Sequence, residues 1–144
     1  MNKVKTYITN SSEETQKLAE KMGEKLNGGQ FFALFGNLGG GKTNFTQGLA
    51  KGLGIKRRII SPTFIILRQY KLKKGNFYHI DLYRTESLND LINLGIDEII
   101  SDKNNIVVVE WAEKMKELLP KKRISISFKF LEENKREIKI EEYE

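Results

Sequence analysis

The chain has 144 residues, 25 lysines and arginines against 19 acids, a formal net charge of +6 and no cysteine. That length suits one domain with a real core; the missing cysteines exclude disulfides, thiolate catalysis and cysteine zinc sites and fit a reducing compartment. The longest apolar run, five residues, is far short of the roughly 20 that a membrane-spanning helix needs, and the start, MNKVKTYITNSSEE, lacks the apolar stretch of a secretion signal, so a cytoplasmic protein with no membrane attachment is expected.

Lys3 to Ile8 reads as a short strand. Ser11 and Glu14 then form a capping-box signal for a helix whose face carries Leu18, Met22 and Leu26 and which stops at Gly28-Gly29. Polar residues at this helix start either touch a nucleotide base or simply cap. Phe31 to Phe35 reads as a fully buried strand. It runs directly into Gly36-Asn37-Leu38-Gly39-Gly40-Gly41-Lys42-Thr43, which matches the phosphate-binding pattern G-x-x-x-x-G-K-[ST] at every fixed position.

Chemistry explains that spacing. A loop that wraps a phosphate must turn successive backbone N–H groups inward, and glycine adopts the necessary conformations at least cost. The backbone from Gly36 through Asn37, Leu38, Gly39 and Gly40 to Gly41 is therefore the expected anion receptor, reinforced by the amino terminus of the helix that starts at Gly41. Lys42, as a solvent-facing charge, is placed to reach the β- and γ-phosphates of a nucleotide, and the Thr43 hydroxyl to ligate a bridging Mg²⁺. Phe45, Leu49 and Leu53 give the following helix its apolar face.

Ile59 to Phe64 contains Ser61-Pro62-Thr63, where Thr63 is either part of a simple turn or a switch residue folding over the γ-phosphate. Ile65 to Leu72 and Phe77 to Leu82 read as a hairpin across Lys73-Lys74-Gly75-Asn76, which makes the sheet mixed. Alternation along the second strand puts His79, Asp81 and Tyr83 on one face. His79, the single histidine, suits a hydrogen-bonded structural position better than direct chemistry, and Asp81 suits magnesium or its water shell. Ser87 to Ile100 reads as a helix broken near Gly95.

Ile106-Val107-Val108-Val109 is a buried central strand, and Glu110 follows at its carboxyl end, where α/β sheets bind ligands. Glu110 and Asp81 thus compete for the acid role beside the metal, with Glu110 the better match to an acid closing a hydrophobic strand and Asp81 suited to the outer shell or the attacking water. Trp111 either packs or contacts nucleotide. Residues 113 to 119 read as a short helix before Pro120, and Ile124 to Phe130 with Arg136 to Ile140 as a closing hairpin. The basic runs Lys56-Arg57-Arg58 and Lys121-Lys122-Arg123 read as solvated loop ends in preference to an RNA or acidic-partner surface. The expected architecture is α/β: a three-layer P-loop NTPase-like fold with a mixed central β-sheet flanked by helices, as a single domain over residues 1–144.

With GNLGGGKT at 36–43, SPTF at 61–64, HIDLYR at 79–84, LGIDE at 94–98 and VEWA at 109–112, the chain resembles the TsaE (YjeE) family of bacterial P-loop ATPases, which serve the N6-threonylcarbamoyladenosine (t6A) modification of tRNA. One departure is Gly40, where the family usually has alanine. The resemblance implies a slow ATPase acting with TsaB and TsaD proteins, meeting tRNA only through that complex. It implies that Lys42 holds phosphates, that Thr43 and Glu110 serve Mg²⁺, that Asp81 acts near the γ-phosphate, that Trp111 approaches the nucleotide, and that Arg136 corresponds, less securely, to a family arginine.

Other classes fit less well. A GTPase needs a guanine-reading N/T-K-x-D, and the nearest string, Asn134-Lys135-Arg136-Glu137, ends in Glu within a hairpin turn. A small-molecule P-loop kinase is the main rival, but it needs an acceptor pocket and an arginine-bearing lid that this short chain has no insertion to build. An RNA-binding module lacks both a stacking-aromatic motif and a strong basic stripe.

Overall fold

A computed structural model of the chain describes residues 2–36, 41–57, 59, 67–85 and 87–144. Along the chain run β1 (Lys3–Thr9), α1 (Ser12–Glu24), β2 (Gln30–Phe35), α2 (Lys42–Gly52), β3 (Leu67–Lys71), β4 (Asn76–Asp81), α3 (Leu88–Asn93), α4 (Ile96–Ser101), β5 (Ile106–Glu110), a 3-10 segment (Ala112–Leu118), β6 (Arg123–Glu132) and β7 (Lys135–Tyr143). Among the described residues one seven-stranded sheet has the order β1-β7-β6-β2-β5-β4-β3. The four central strands β6, β2, β5 and β4 are parallel, while β3 at one edge and β7 near the other run against them. The sheet is therefore mixed, as the hairpin signals imply. Among the described residues no helix is long and apolar enough to cross a membrane.

The two faces of the sheet bury separate clusters, giving three layers. Phe32, Leu34, Val108 and Ile126 pack with Ala19 of α1 and Phe45 and Leu49 of α2 on one face. Ala33, Val107, Val109 and Ile80 pack with Leu91, Ile96, Ala112 and Met115 on the other. β5 is buried at all five positions, as expected of a strand covered on both sides.

Local signals act as chemistry dictates. The Ser11 hydroxyl accepts from the Glu14 amide at 3.1 Å, and the Glu14 carboxylate reaches back to the Asn10 amide at 2.9 Å. The break between α3 and α4 falls at Gly95, whose φ of 80° is the left-handed conformation glycine adopts most cheaply.

Two expectations are refined and one is corrected. The innermost residues of α1 are Thr15, Ala19 and Gly23, with Leu18, Met22 and Leu26 only partly buried. The reason is close helix approach: a Cβ on Gly52 would stand 2.1 Å from the Glu20 carbonyl oxygen, and one on Gly48 2.4 Å from that of Gln16. The short helix expected before Pro120 is present as a 3-10 segment, Ala112–Leu118, that kinks at Met115. Tyr83 does not continue the β4 face; the strand ends at Asp81, whose carboxylate takes the Tyr83 amide at 3.0 Å and turns the chain. Ile65 and Ile66, expected in β3, lie outside the described residues, as do Arg58 and the 61–64 segment.

Candidate nucleotide and magnesium site

The carboxyl ends of β2, β5 and β4 lie side by side, and parallel register decides which residues meet there. Leu34 stands opposite Glu110, and Glu110 opposite Asp81; one pair earlier Phe32, Val108 and His79 are aligned. Phe32, Leu34 and Val108 pack with α2, so Glu110, Asp81 and His79 are carried on the same face, toward the start of that helix.

Gly36 and Gly41 flank the loop. Gly36 has a φ of 136°, and a Cβ there would lie 2.8 Å from the Phe128 carbonyl oxygen, so backbone conformation and space both exclude a side chain. Gly41, at φ 100°, opens α2, and its carbonyl accepts the Phe45 amide at 2.9 Å. The N–H groups of Lys42, Thr43 and Asn44 come before that first helical bond and have no carbonyl of the helix to bond. Asn44 also ties the helix start to α1, its side chain donating to the Ser12 carbonyl and accepting from Nε2 of the Gln16 side chain. The expected phosphate receptors Asn37, Leu38, Gly39 and Gly40 lie outside the described residues.

Lys42 is 5 % exposed rather than solvent-facing. Its ammonium donates to the Gly36 carbonyl and sits 3.9 Å from the centroid of the Trp111 ring. Burial pushes its pKa below the ordinary 10.5, while the carboxylates of Glu113, Glu110 and Asp81, in that order, pull it back up. A partly desolvated cation next to the loop's first residue interacts more strongly with a phosphate than one in water.

Thr43 and Glu110 meet directly, the hydroxyl donating to Oε1 at 2.8 Å. Adjacent ligands of an octahedral Mg²⁺, each at 2.0–2.1 Å, are separated by about 2.9 Å. This pair of hard oxygens therefore fits two neighbouring magnesium ligands. The other Glu110 oxygen, Oε2, is taken by His79 Nε2. Among the described residues no three His, Cys, Asp or Glu side chains cluster as a metal cage.

Trp111 leaves β5 in a left-handed conformation, φ 61°, rare and costly for an aromatic residue. That turn lays the indole across the site, over Lys42 and 5.2 Å from the Tyr83 ring. Lys114 fastens the chain after β4 by donating to the Tyr83 and Thr85 carbonyls. Glu113, which sequence reasoning missed, places Oε2 3.5 Å from the Gly36 amide as well as acting on Lys42. Its only sequence signal is a second acid one short turn beyond Glu110.

The structure thus brings together Gly36, Gly41, Lys42, Thr43, Asp81, Glu110 and Trp111. Arg136 lies on β7, in the β6–β7 ribbon. Its guanidinium lies 4.6 Å from the Phe130 ring centroid and donates to the Glu132 and Lys135 carbonyls. Thr63 lies outside the described residues.

Residues 9–138 match the family model described as "Threonylcarbamoyl adenosine biosynthesis protein TsaE". Proteins named tRNA threonylcarbamoyladenosine biosynthesis protein TsaE are similar over nearly the whole chain. That of Bacillus subtilis is 39 % identical over 132 residues, covering 92 % of this chain and 82 % of its own. That of Aquifex aeolicus is 37 % identical over 142 residues, covering 97 % and 98 %. The crystal structure of Bacillus subtilis YdiB superposes with a TM-score of 0.82 at 33 % identity, over 100 % of this chain and 88 % of that one. With a family model spanning most of its length and relatives of this similarity, the chain belongs to the TsaE family.

Proposed function

We propose that this protein binds Mg²⁺–ATP and hydrolyses it slowly, in support of the t6A modification of tRNA and through a complex with TsaB and TsaD proteins. The observation that carries the reading is the meeting of Lys42, Thr43 and Glu110 at the start of α2. The relatives' names supply the tRNA context. In this reading the loop amides and Lys42 hold the β- and γ-phosphates, and Thr43 and Glu110 hold the magnesium, which when bound neutralises charge developing on the phosphate oxygens. Asp81, in register with Glu110 at the next strand end, holds the water that attacks the γ-phosphorus, whose bond to the bridging oxygen breaks to release ADP and phosphate.

The experiment uses the single tryptophan. Phosphates that draw the Lys42 ammonium off the indole change the environment of Trp111, so titration with Mg²⁺–ATP is expected to alter its emission saturably, in step with heat measured by calorimetry. Binding heat without a change in emission would show the Trp111 placement to be wrong. No binding heat at all would sink the nucleotide reading.

A further inference from the structure

We infer that His79 is the positioning residue of the Glu110 carboxylate. Its Nε2–H takes Oε2 and leaves Oε1 turned toward Thr43, so that the two ligand oxygens are already aimed before a metal arrives. The inference rests on the magnesium–nucleotide reading above and assigns within it a residue that the motif alone does not.

The two side chains come from neighbouring parallel strands, His79 opposite Val108 and Glu110 one same-face step further on. A glutamate at a strand end has three side-chain torsions free to rotate, and here both ends of its carboxylate are claimed by different partners. Burial removes the competition: the His79 and Glu110 side chains are 0 % and 3 % exposed, so water is poorly placed to replace either contact. The rest of the imidazole argues against a purely structural role. Buried ring nitrogens are normally both satisfied, yet among the described residues His79 Nδ1 has no hydrogen-bond partner. The ring is held for the one contact that Nε2 makes. A carboxylate oxygen can only accept, so Nε2 carries the proton of that contact. Partners of this kind that orient a metal-binding side chain are typically worth about 10- to 100-fold in metal affinity.

Because His79 is the only histidine, a histidine-selective ¹⁵N spectrum holds a single ring and needs no assignment. An Nε2-bound proton protected from exchange is expected in the wild-type protein. Its signal should move on Glu110→Gln, and on adding Mg²⁺ to the nucleotide complex but not on adding nucleotide with chelator. His79→Phe should raise the Mg²⁺ concentration needed for the nucleotide-dependent Trp111 response about tenfold or more, with nucleotide affinity in chelator unchanged. His79→Gln, whose amide reaches to a similar place, should recover most of that loss. If His79→Phe does not fold, the spectra of wild type and Glu110→Gln still decide. A ring signal indifferent to Glu110→Gln, or an unchanged Mg²⁺ requirement in a folded His79→Phe, overturns the inference while leaving the magnesium reading intact. A wild-type protein that binds nucleotide with no Mg²⁺-dependent step overturns both.

Discussion

Lys42→Ala is expected to lower ATP hydrolysis by about a hundredfold or more, the usual effect of removing one preorganised charge from a developing anion, and to weaken nucleotide binding while the chain stays folded. The side chain is buried, yet its ammonium is held against the cost of desolvation by Glu113, Glu110 and Asp81. Removing it relieves one penalty and takes a favourable charge from beside those carboxylates, two effects on stability of opposite sign. Lys42→Met keeps most of the stem under the Trp111 ring and separates lost charge from lost packing. Both variants should melt close to wild type and show equal loss of turnover. Normal hydrolysis by a folded Lys42→Met would remove this lysine from the mechanism.

The largest effect on stability is expected at the seam between α1 and α2. Gly52→Val places a branched side chain where even a Cβ would stand 2.1 Å from a backbone carbonyl, and backbone does not yield as a flexible side-chain tip does. Overpacking at such a site costs about 3 kcal/mol, which lowers the melting temperature of a chain this size by about 10 °C. Gly54 supplies the contrast. It has a φ of 85° but nothing within 4 Å of a built Cβ, so Gly54→Asn, which tolerates the left-handed region, should be nearly silent. Thermal melts of the two variants test the packing argument, and equal shifts would contradict it. Since α2 carries Lys42 and Thr43 on its first turn, a displaced seam is also expected to cost nucleotide affinity.

That seam shows where the sequence stops being legible. Glycine adds nothing to a hydrophobic period, so Gly23, Gly48 and Gly52 are silent in a pattern that Leu18, Met22 and Leu26 dominate, although the glycines set the helix distance. The pattern G-x-x-x-x-G-K-T at 36–43 stands out in the sequence because a backbone that wraps a phosphate demands particular residues at fixed spacing. Glu110 and Asp81 are both legible as acids ending strands, but their division of labour depends on cross-strand register and on side-chain direction. Glu110 receives the Thr43 hydroxyl, whereas one Asp81 oxygen closes the turn onto Tyr83. The His79–Glu110 contact, 31 residues apart in the chain, exists only once β4 and β5 are paired. The left-handed turn at Trp111 has no local signal, since nothing in the string Val109-Glu110-Trp111-Ala112 distinguishes it from a continuing strand.

In the proposed reading the complex with TsaB and TsaD completes the charge around the γ-phosphate, and an arginine supplied to such a site is worth about a thousandfold or more in rate. Slow turnover alone and faster turnover in a complex are the expected consequence. The most direct measurement is steady-state phosphate release from Mg²⁺–ATP by the protein alone, with TsaB and TsaD proteins, and with a panel of small phosphoryl acceptors, each beside Lys42→Met. The account predicts slow release alone, stimulation by the two proteins that disappears in Lys42→Met, and no phosphorylated acceptor. Fast release alone would contradict it; ADP formation that depends on an acceptor, with the phosphoryl group on that acceptor rather than released as phosphate, would contradict it and identify a small-molecule kinase instead.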